Sequence, residues 1–199
     1  EKSLDSALGQ TLRELEVIAV DDGSADKSLR LLKQRAAADP RLRVIAFPEN
    51  RGTLIARAEA VRAAQGEYLL FLDPDDTFRP EAAAELYEAA AEKRYDVVAF
   101  GCDEFVPCPD GSLQQVWNWI TPPGGEVSGP GAVLRDLLVD RGHYWNLCLK
   151  LIRAEICRNA LGDLEPCYCI MDEDFYFYVL VACRADSLLK LEKNYYNYF

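Results

Sequence analysis

Asp73, Asp75 and Asp76 place three carboxylates within four positions, directly after the apolar run EYLLFL at residues 67–72. Like charges this close repel, so a cation among them would be stabilising. A hard divalent ion such as Mg2+ or Mn2+ suits such a turn. It needs only one or two protein carboxylates and leaves its other positions to phosphate oxygens. An ion held this way stabilises a departing diphosphate. Taken alone, the same residues also make an ordinary solvated turn, with Pro74 stiffening the bend and Asp76 capping the next helix.

Three other groups could work with this turn. VDDGSADKS (residues 20–28) puts Asp21 and Asp22 after the apolar run LEVIAV. Carboxylates there can accept N–H or O–H donors of a base or ribose, and equally serve as a helix cap and turn. ENRGTLIARAEA adds Asn50 and Arg57, the latter either a contact to base or phosphate or an exposed helical charge. Asp172, Glu173 and Asp174 open the segment MDEDFYFYVLVACRA. They could complement the positive start of a helix, or supply a base. A carboxylate there could take the proton of a reacting hydroxyl.

His143 is the single histidine, which removes His-based triads and multi-histidine metal sites. Within GHYWN it reads as a structural residue lined by aromatics. Trp117, Trp119 and Trp145 could stack on sugar rings or pack in a core. The cysteine count, seven, is odd, and the spacings fit no zinc pattern, which reads as reduced, mostly buried thiols.

The elements that must hold these residues alternate in the first half. LEVIAV, RVIAF, EYLLFL and YDVVAFGC read as strands. KSLRLLKQRAAA, TLIARAEAVRAAQ and RPEAAAELYEAAAEK read as helices, with Gly66 as a left-handed cap of the second and Pro80 in the first turn of the third. Such alternation predicts an α/β fold with a mainly parallel sheet covered on both faces, and ligands beyond the carboxyl ends of its strands. The acid turns lie at two such ends. The second half reads as loops and short strands over residues 107–131. Helical patterns then follow at AVLRDLLVDR and around NLCLKLIRAEICRNAL, and an edge strand at LLKLEKNYYNYF.

At 199 residues the chain has the length of one domain. A net charge of -11 disfavours nucleic acid and anionic membrane as electrostatic partners. No apolar run approaches the roughly 20 residues of a spanning helix. Residues 1–14 read as an amphipathic helix rather than a secretory leader, so the sequence opens inside a fold with an N-terminal element missing.

VIAVDDGSADKS, PENRGTLIARAEAVRAAQGEYLLFLDPDD and MDEDF, in this order and at these separations, resemble family 2 glycosyltransferases. EKSLDSALGQTL is similar to the family's first helix, and CLKLIRAEI to the segment before its catalytic acid region. The resemblance implies the Rossmann-like GT-A fold, lacking its first strand and the turn that helps hold the base. It implies one domain over residues 1–199, with a nucleotide-sugar half at 1–106 and an acceptor half at 107–199. By resemblance, Asp21 and Asp22 bind the nucleobase, Asn50 and Arg57 lie near the nucleoside, and Asp73 contacts the ribose. Asp75 binds Mn2+ or Mg2+ beside the diphosphate, and Asp174 is the catalytic base.

The activity implied is metal-dependent, inverting transfer from a nucleotide-sugar, a UDP-sugar above all, to a hydroxyl of a glycan or lipid-linked acceptor. The expected location is the cytoplasm, with room for peripheral association at the inner membrane face. The Gln-x-x-Arg-Trp signature of processive synthases is absent, which favours transfer of single sugars. Two alternatives stay open: a non-catalytic nucleotide- or sugar-binding relative, and a nucleotidyltransferase of similar fold. The latter needs an early basic, Gly-rich phosphate loop that the sequence does not display.

Overall fold

The computed structural model describes residues 1–116, 120–165, 167 and 172–199. Trp117, Trp119, Cys169 and the Met171 of MDEDF lie outside them. Helix α1 (Lys2–Leu8) leads to β1 (Val17–Asp22), α2 (Ser28–Ala38), β2 (Leu42–Phe47), α3 (Thr53–Ala63), β3 (Tyr68–Leu70), β4 (Thr77–Phe78), α4 (Ala82–Lys93) and β5 (Val97–Pro107). Then come β6 (Leu113–Val116), β7 (Gly125–Ser128), α5 (Ala132–Arg135), β8 (Lys150–Arg153), α6 (Ala154–Ala160), α7 (Glu173–Ala182) and β9 (Ser187–Tyr198).

β1 and β2 form a parallel pair, with Val17 opposite Leu42 and Asp22 opposite Phe47. The larger sheet runs β3-β8-β5-β9-β4, with β6 beside β5 and β7 beside β9. Among the described residues only β5 and β9 are parallel there; the other pairings are antiparallel. The fold is α/β as expected, but the sheet is mixed rather than mainly parallel. Strand–helix alternation reports the strands of the first half. It is blind to β8, which arrives from the second half and enters antiparallel between β3 and β5.

Three local expectations change for related reasons. The Lys-Leu-Ile-Arg within the expected helix NLCLKLIRAEICRNAL is strand β8, and the helix begins only at Ala154. Pairing with two neighbouring strands overrides the helical pattern of four residues. The terminal segment is no edge strand: β9 lies between β5 and β4, and Tyr195 and Tyr196 are buried. Gly66 is not a left-handed cap. α3 ends at Ala63, Ala64 leaves in extended geometry, and the Glu16 carboxylate receives the Gly66 N–H at 2.9 Å.

Period-two alternation along β5 divides the interior. Val97 and Ala99 face a cluster with Leu54, Ala58 and Val61 of α3, Cys157 and Ala160 of α6, and Phe177, Tyr178 and Val181 of α7. Val98, Phe100 and Cys102 face the other side, against Ala82, Leu86 and Ala90 of α4. The buried positions of α3 and α4 recur every three or four residues, one stripe per helix.

Among the described residues no hydrogen-bonded strands join the two sheets. Between them lies a cavity of about 640 Å3, lined on one side by Val17, Ile18, Ala19 and Val20 and on the other by Tyr68, Leu69, Leu70, Phe71 and Leu72. Arg57 and Asp73 also line it. Of the six described cysteines, Cys102, Cys148 and Cys157 are buried, while Cys108 is half-buried and Cys167 and Cys183 are exposed. Burial of thiols is thus less general than expected.

Candidate active site

The acid turn after β3 is fixed from below by β9. The Tyr196 hydroxyl lies 2.7 Å from Asp76 Oδ2 and accepts the Asp73 N–H at 3.2 Å. Phe199 N–H donates to Asp76 Oδ1 at 3.0 Å. Asp76 is 1% exposed. Its burial, opposed by these two hydrogen bonds and reinforced by Asp75 and Asp73, raises its carboxyl above the ordinary aspartate range. Asp76 therefore holds the turn in place, and it caps no helix. Asp75, one position earlier, is exposed and makes no hydrogen bond or ion pair among the described residues. One tight turn separates an anchored carboxylate from a free one.

Asp73 points the other way, into an ion pair. Arg57 Nη2 lies 2.7 Å from Asp73 Oδ1, and Nη1 lies 3.1 Å from Glu173 Oε1 and also pairs with Asp174 Oδ1. The Arg57 side chain is 13% exposed. α3 carries it beside the buried stripe Leu54, Ala58 and Val61, so packing holds the guanidinium toward α7. Glu173 and Asp174 occupy the first turn of α7, where carboxylates complement the positive helix end. The second oxygen of Asp174 receives the Leu147 N–H at 3.2 Å. Three carboxylates thus share one guanidinium, and the surplus is negative.

Asp21 and Asp22 end β1. Asp21 is buried and accepts the Ser24 N–H at 3.2 Å. Asp22 accepts the Arg51 N–H at 2.7 Å and the Gly52 N–H at 2.9 Å, closing the loop before α3. Gly23 has φ +72°, and a Cβ there would stand 2.6 Å from the Glu49 carbonyl carbon, so only glycine lets the two loops touch. Asn50 is exposed beside that contact. Arg57 follows Gly52 by five residues, about 7.5 Å along a helix axis. α3 therefore ties the Asp22 turn to the Asp73–Asp174 group.

Beneath α7 runs a second polar group that sequence reasoning missed. His143 Nδ1 lies 2.6 Å from Asp136 Oδ2, and Nε2 lies 2.7 Å from the Tyr178 hydroxyl. Lys190 Nζ lies 2.7 Å from Asp136 Oδ1. Burial and nearby Lys150 push His143 down to about 4, against the pull of Asp136. A neutral ring then donates from Nδ1 to Asp136 and accepts at Nε2 from the tyrosine. Burial alone would raise the Asp136 carboxyl, but Lys190 and His143 outweigh it and hold it below its usual range. The row resembles a catalytic triad in chemistry, yet its members are buried and burial raises the Tyr178 phenol far above its ordinary value. It is architecture, consistent with the structural role expected of His143, whose ring packs edge-on against Tyr178.

Lys150 is also buried, donating to the Asn146 carbonyl at 3.0 Å and lying 4.9 Å over the Tyr178 ring. Burial pushes it down to about 7. The signal for it was legible: one lysine inside the apolar run NLCLKLI. Cys148 stands near Asp73 and Arg57, but burial first, then the Asp73 charge, pushes its thiol up to about 12. It stays protonated and is no nucleophile. Trp145 is exposed and meets Phe175 edge-on at 6.0 Å.

This geometry can be set beside known proteins. The profile of Glycosyl transferase family 2 matches residues 1–135. The chain is 38% identical over 101 residues to an uncharacterized glycosyltransferase, EpsJ, of Bacillus subtilis (strain 168), covering 51% of this chain and 29% of that protein. It is 42% identical over 89 residues to the succinoglycan biosynthesis protein ExoO of Rhizobium meliloti (strain 1021), covering 45% and 25%. It is 43% identical over 81 residues to the chondroitin synthase of Escherichia coli, covering 41% and 12%. The chain thus spans under a third of these relatives.

Among solved structures, S. aureus TarS 1-349 in complex with UDP-GlcNAc superposes with a TM-score of 0.77 at 23% identity, over 98% of this chain and 53% of that one. That likeness establishes the GT-A architecture. The profile covers well over half of the sequence, and the chain belongs to glycosyltransferase family 2.

Proposed function

We propose that the chain transfers a sugar from a nucleoside-diphosphate donor, a UDP-sugar, to a hydroxyl of a glycan or lipid-linked acceptor, with inversion. One observation carries this reading. Arg57 gathers Asp73 from the strand-end turn and Asp174 from α7 into a single group, so a donor-binding carboxylate and a candidate base share one locus. The family membership and the UDP-GlcNAc held by the TarS neighbour support it. So do relatives named for succinoglycan and chondroitin synthesis.

In this reading Asp174 accepts the proton of the attacking hydroxyl, its carboxylate oriented by Arg57 and the Leu147 N–H. Asp73 faces the ribose. Asp21, Asp22 and Asn50 border the base, and Asp22 holds the loop that carries Asn50. Residues 1–106 serve the nucleotide-sugar and 107–199 the acceptor, within one catalytic unit.

A divalent cation, Mn2+ or Mg2+, fits the donor set, because Asp75 is an exposed carboxylate without a partner among the described residues and such ions take only one or two protein ligands. Among the described residues no group of three or more His, Cys, Asp or Glu side chains could hold a metal ion. Once bound, the ion would supply charge neutralisation for the leaving diphosphate. No helix among the described residues is long and apolar enough to cross a membrane. We place the reaction in the cytoplasm, where nucleotide-sugars are made.

A second reading, a non-catalytic nucleotide-binding relative, draws on Asp22, both of whose oxygens already bond backbone N–H groups. UDP release from UDP-sugars with Mn2+ separates the two. The enzyme gives slow background release that Asp75→Ala and Asp174→Asn abolish. The binding module gives UDP affinity with no release on any acceptor.

A further inference from the structure

The Asn146–Leu147 peptide unit is held at both ends. Its carbonyl oxygen accepts the Lys150 Nζ donor at 3.0 Å, and its N–H donates to Asp174 Oδ2 at 3.2 Å. Lys150 is 1% exposed and has no carboxylate partner among the described residues. We propose that Lys150 is a positioning residue for Asp174, acting through this one peptide plane. The inference rests on the reading of Asp174 as the base.

The geometry leaves the plane little freedom. The Asn146 carbonyl also accepts the Leu149 N–H at 3.2 Å, so the turn around it is closed. The segment from His143 to Lys150 meets α7 at three places: His143 on Tyr178, Trp145 on Phe175, and Leu147 on Asp174. Asp174 and Tyr178 are four residues apart, so they lie on one face of the helix. Tyr178 is also the ring beneath Lys150 Nζ. A donor on a peptide carbonyl polarises the unit and strengthens the hydrogen bond given by its N–H. Both the ammonium and the neutral amine of Lys150 carry that donor. Arg57 holds one oxygen of Asp174 and the Lys150-supported peptide holds the other, which fixes the plane of the carboxylate. A buried lysine costs folding free energy, since burial opposes its charge. Orientation of the base is what the cost obtains.

The test pairs kinetics with a local probe. In Lys150→Met, release of UDP from UDP-GlcNAc should fall about tenfold or more in kcat, with the KM for the donor unchanged, because a shifted reacting group loses rate and not donor affinity. In 15N-leucine-labelled protein, the Leu147 amide should lose its exchange protection and shift upfield. A kcat and a Leu147 amide both unchanged in folded Lys150→Met overturn the proposal. If Lys150→Met does not fold, Asp174→Asn decides. The Leu147 amide should then move upfield and the Lys150 Nζ signal should change; signals indifferent to that variant overturn the proposal. If the unaltered protein turns over no nucleotide-sugar, the functional reading fails, while the amide readout still decides whether Lys150 sets Asp174.

Discussion

Two polar groups flank α7, and they are built from the same parts to opposite ends. On the outer side Asp73, Glu173 and Asp174 share Arg57, with Asp75 free nearby. On the inner side Asp136 meets both Lys190 and His143, and His143 meets Tyr178. The inner carboxylate has a partner for each oxygen and is 3% exposed. The outer carboxylates outnumber their one cation and remain partly open. A satisfied, buried row fixes structure, whereas a surplus of accessible charge invites a ligand of opposite sign.

The comparison is sharpest if each side is broken in turn. Asp174→Asn should lower turnover by about a hundred- to ten-thousandfold, the usual contribution of a positioned base, with a urea midpoint near that of the unaltered protein. Asp136→Ala should act conversely. It strands Lys190 and His143 in the interior and should cost about 3–5 kcal/mol in urea denaturation. Should Asp174→Asn unfold the protein, or Asp136→Ala leave it as stable as before, the division between working and structural acids is wrong.

A smaller effect concerns pH. His143 sits at about 4 in the fold against an ordinary 6.5, so it is neutral when folded. As pH falls from 6.5 toward 4, the unfolded chain takes up this proton first. Stability should therefore decline across that window, and this group adds no further loss below it. His143→Gln should flatten the slope there. An equal slope in both proteins would remove His143 from the account.

The sequence made much of the outer group legible. Strand ends followed by Asp22 and Asp73 are local signals, and the acids opening α7 are contiguous with it. The three-way pairing of Arg57 was not, because its partners lie 16, 116 and 117 residues away. The inner group was hidden for the same reason: His143 and Tyr178 are 35 residues apart, and Lys190 lies 54 beyond Asp136. The aromatic faces of LLKLEKNYYNYF read as an edge strand, but only tertiary pairing could show that β9 is bordered by β5, β4 and β7. Asp75 and Asp76 are alike by type and adjacent; the Tyr196 hydroxyl, reached across 120 residues, decides which of them is anchored.

The central claim is that this free carboxylate completes a site for a divalent ion and a nucleoside diphosphate together. Calorimetric titration of UDP with and without Mn2+ tests it most directly, in the unaltered protein and in Asp75→Ala. The account predicts that Mn2+ tightens UDP binding at least about tenfold, some 1.4 kcal/mol, and that Asp75→Ala erases the gain. Equal UDP affinity with and without the metal would contradict it.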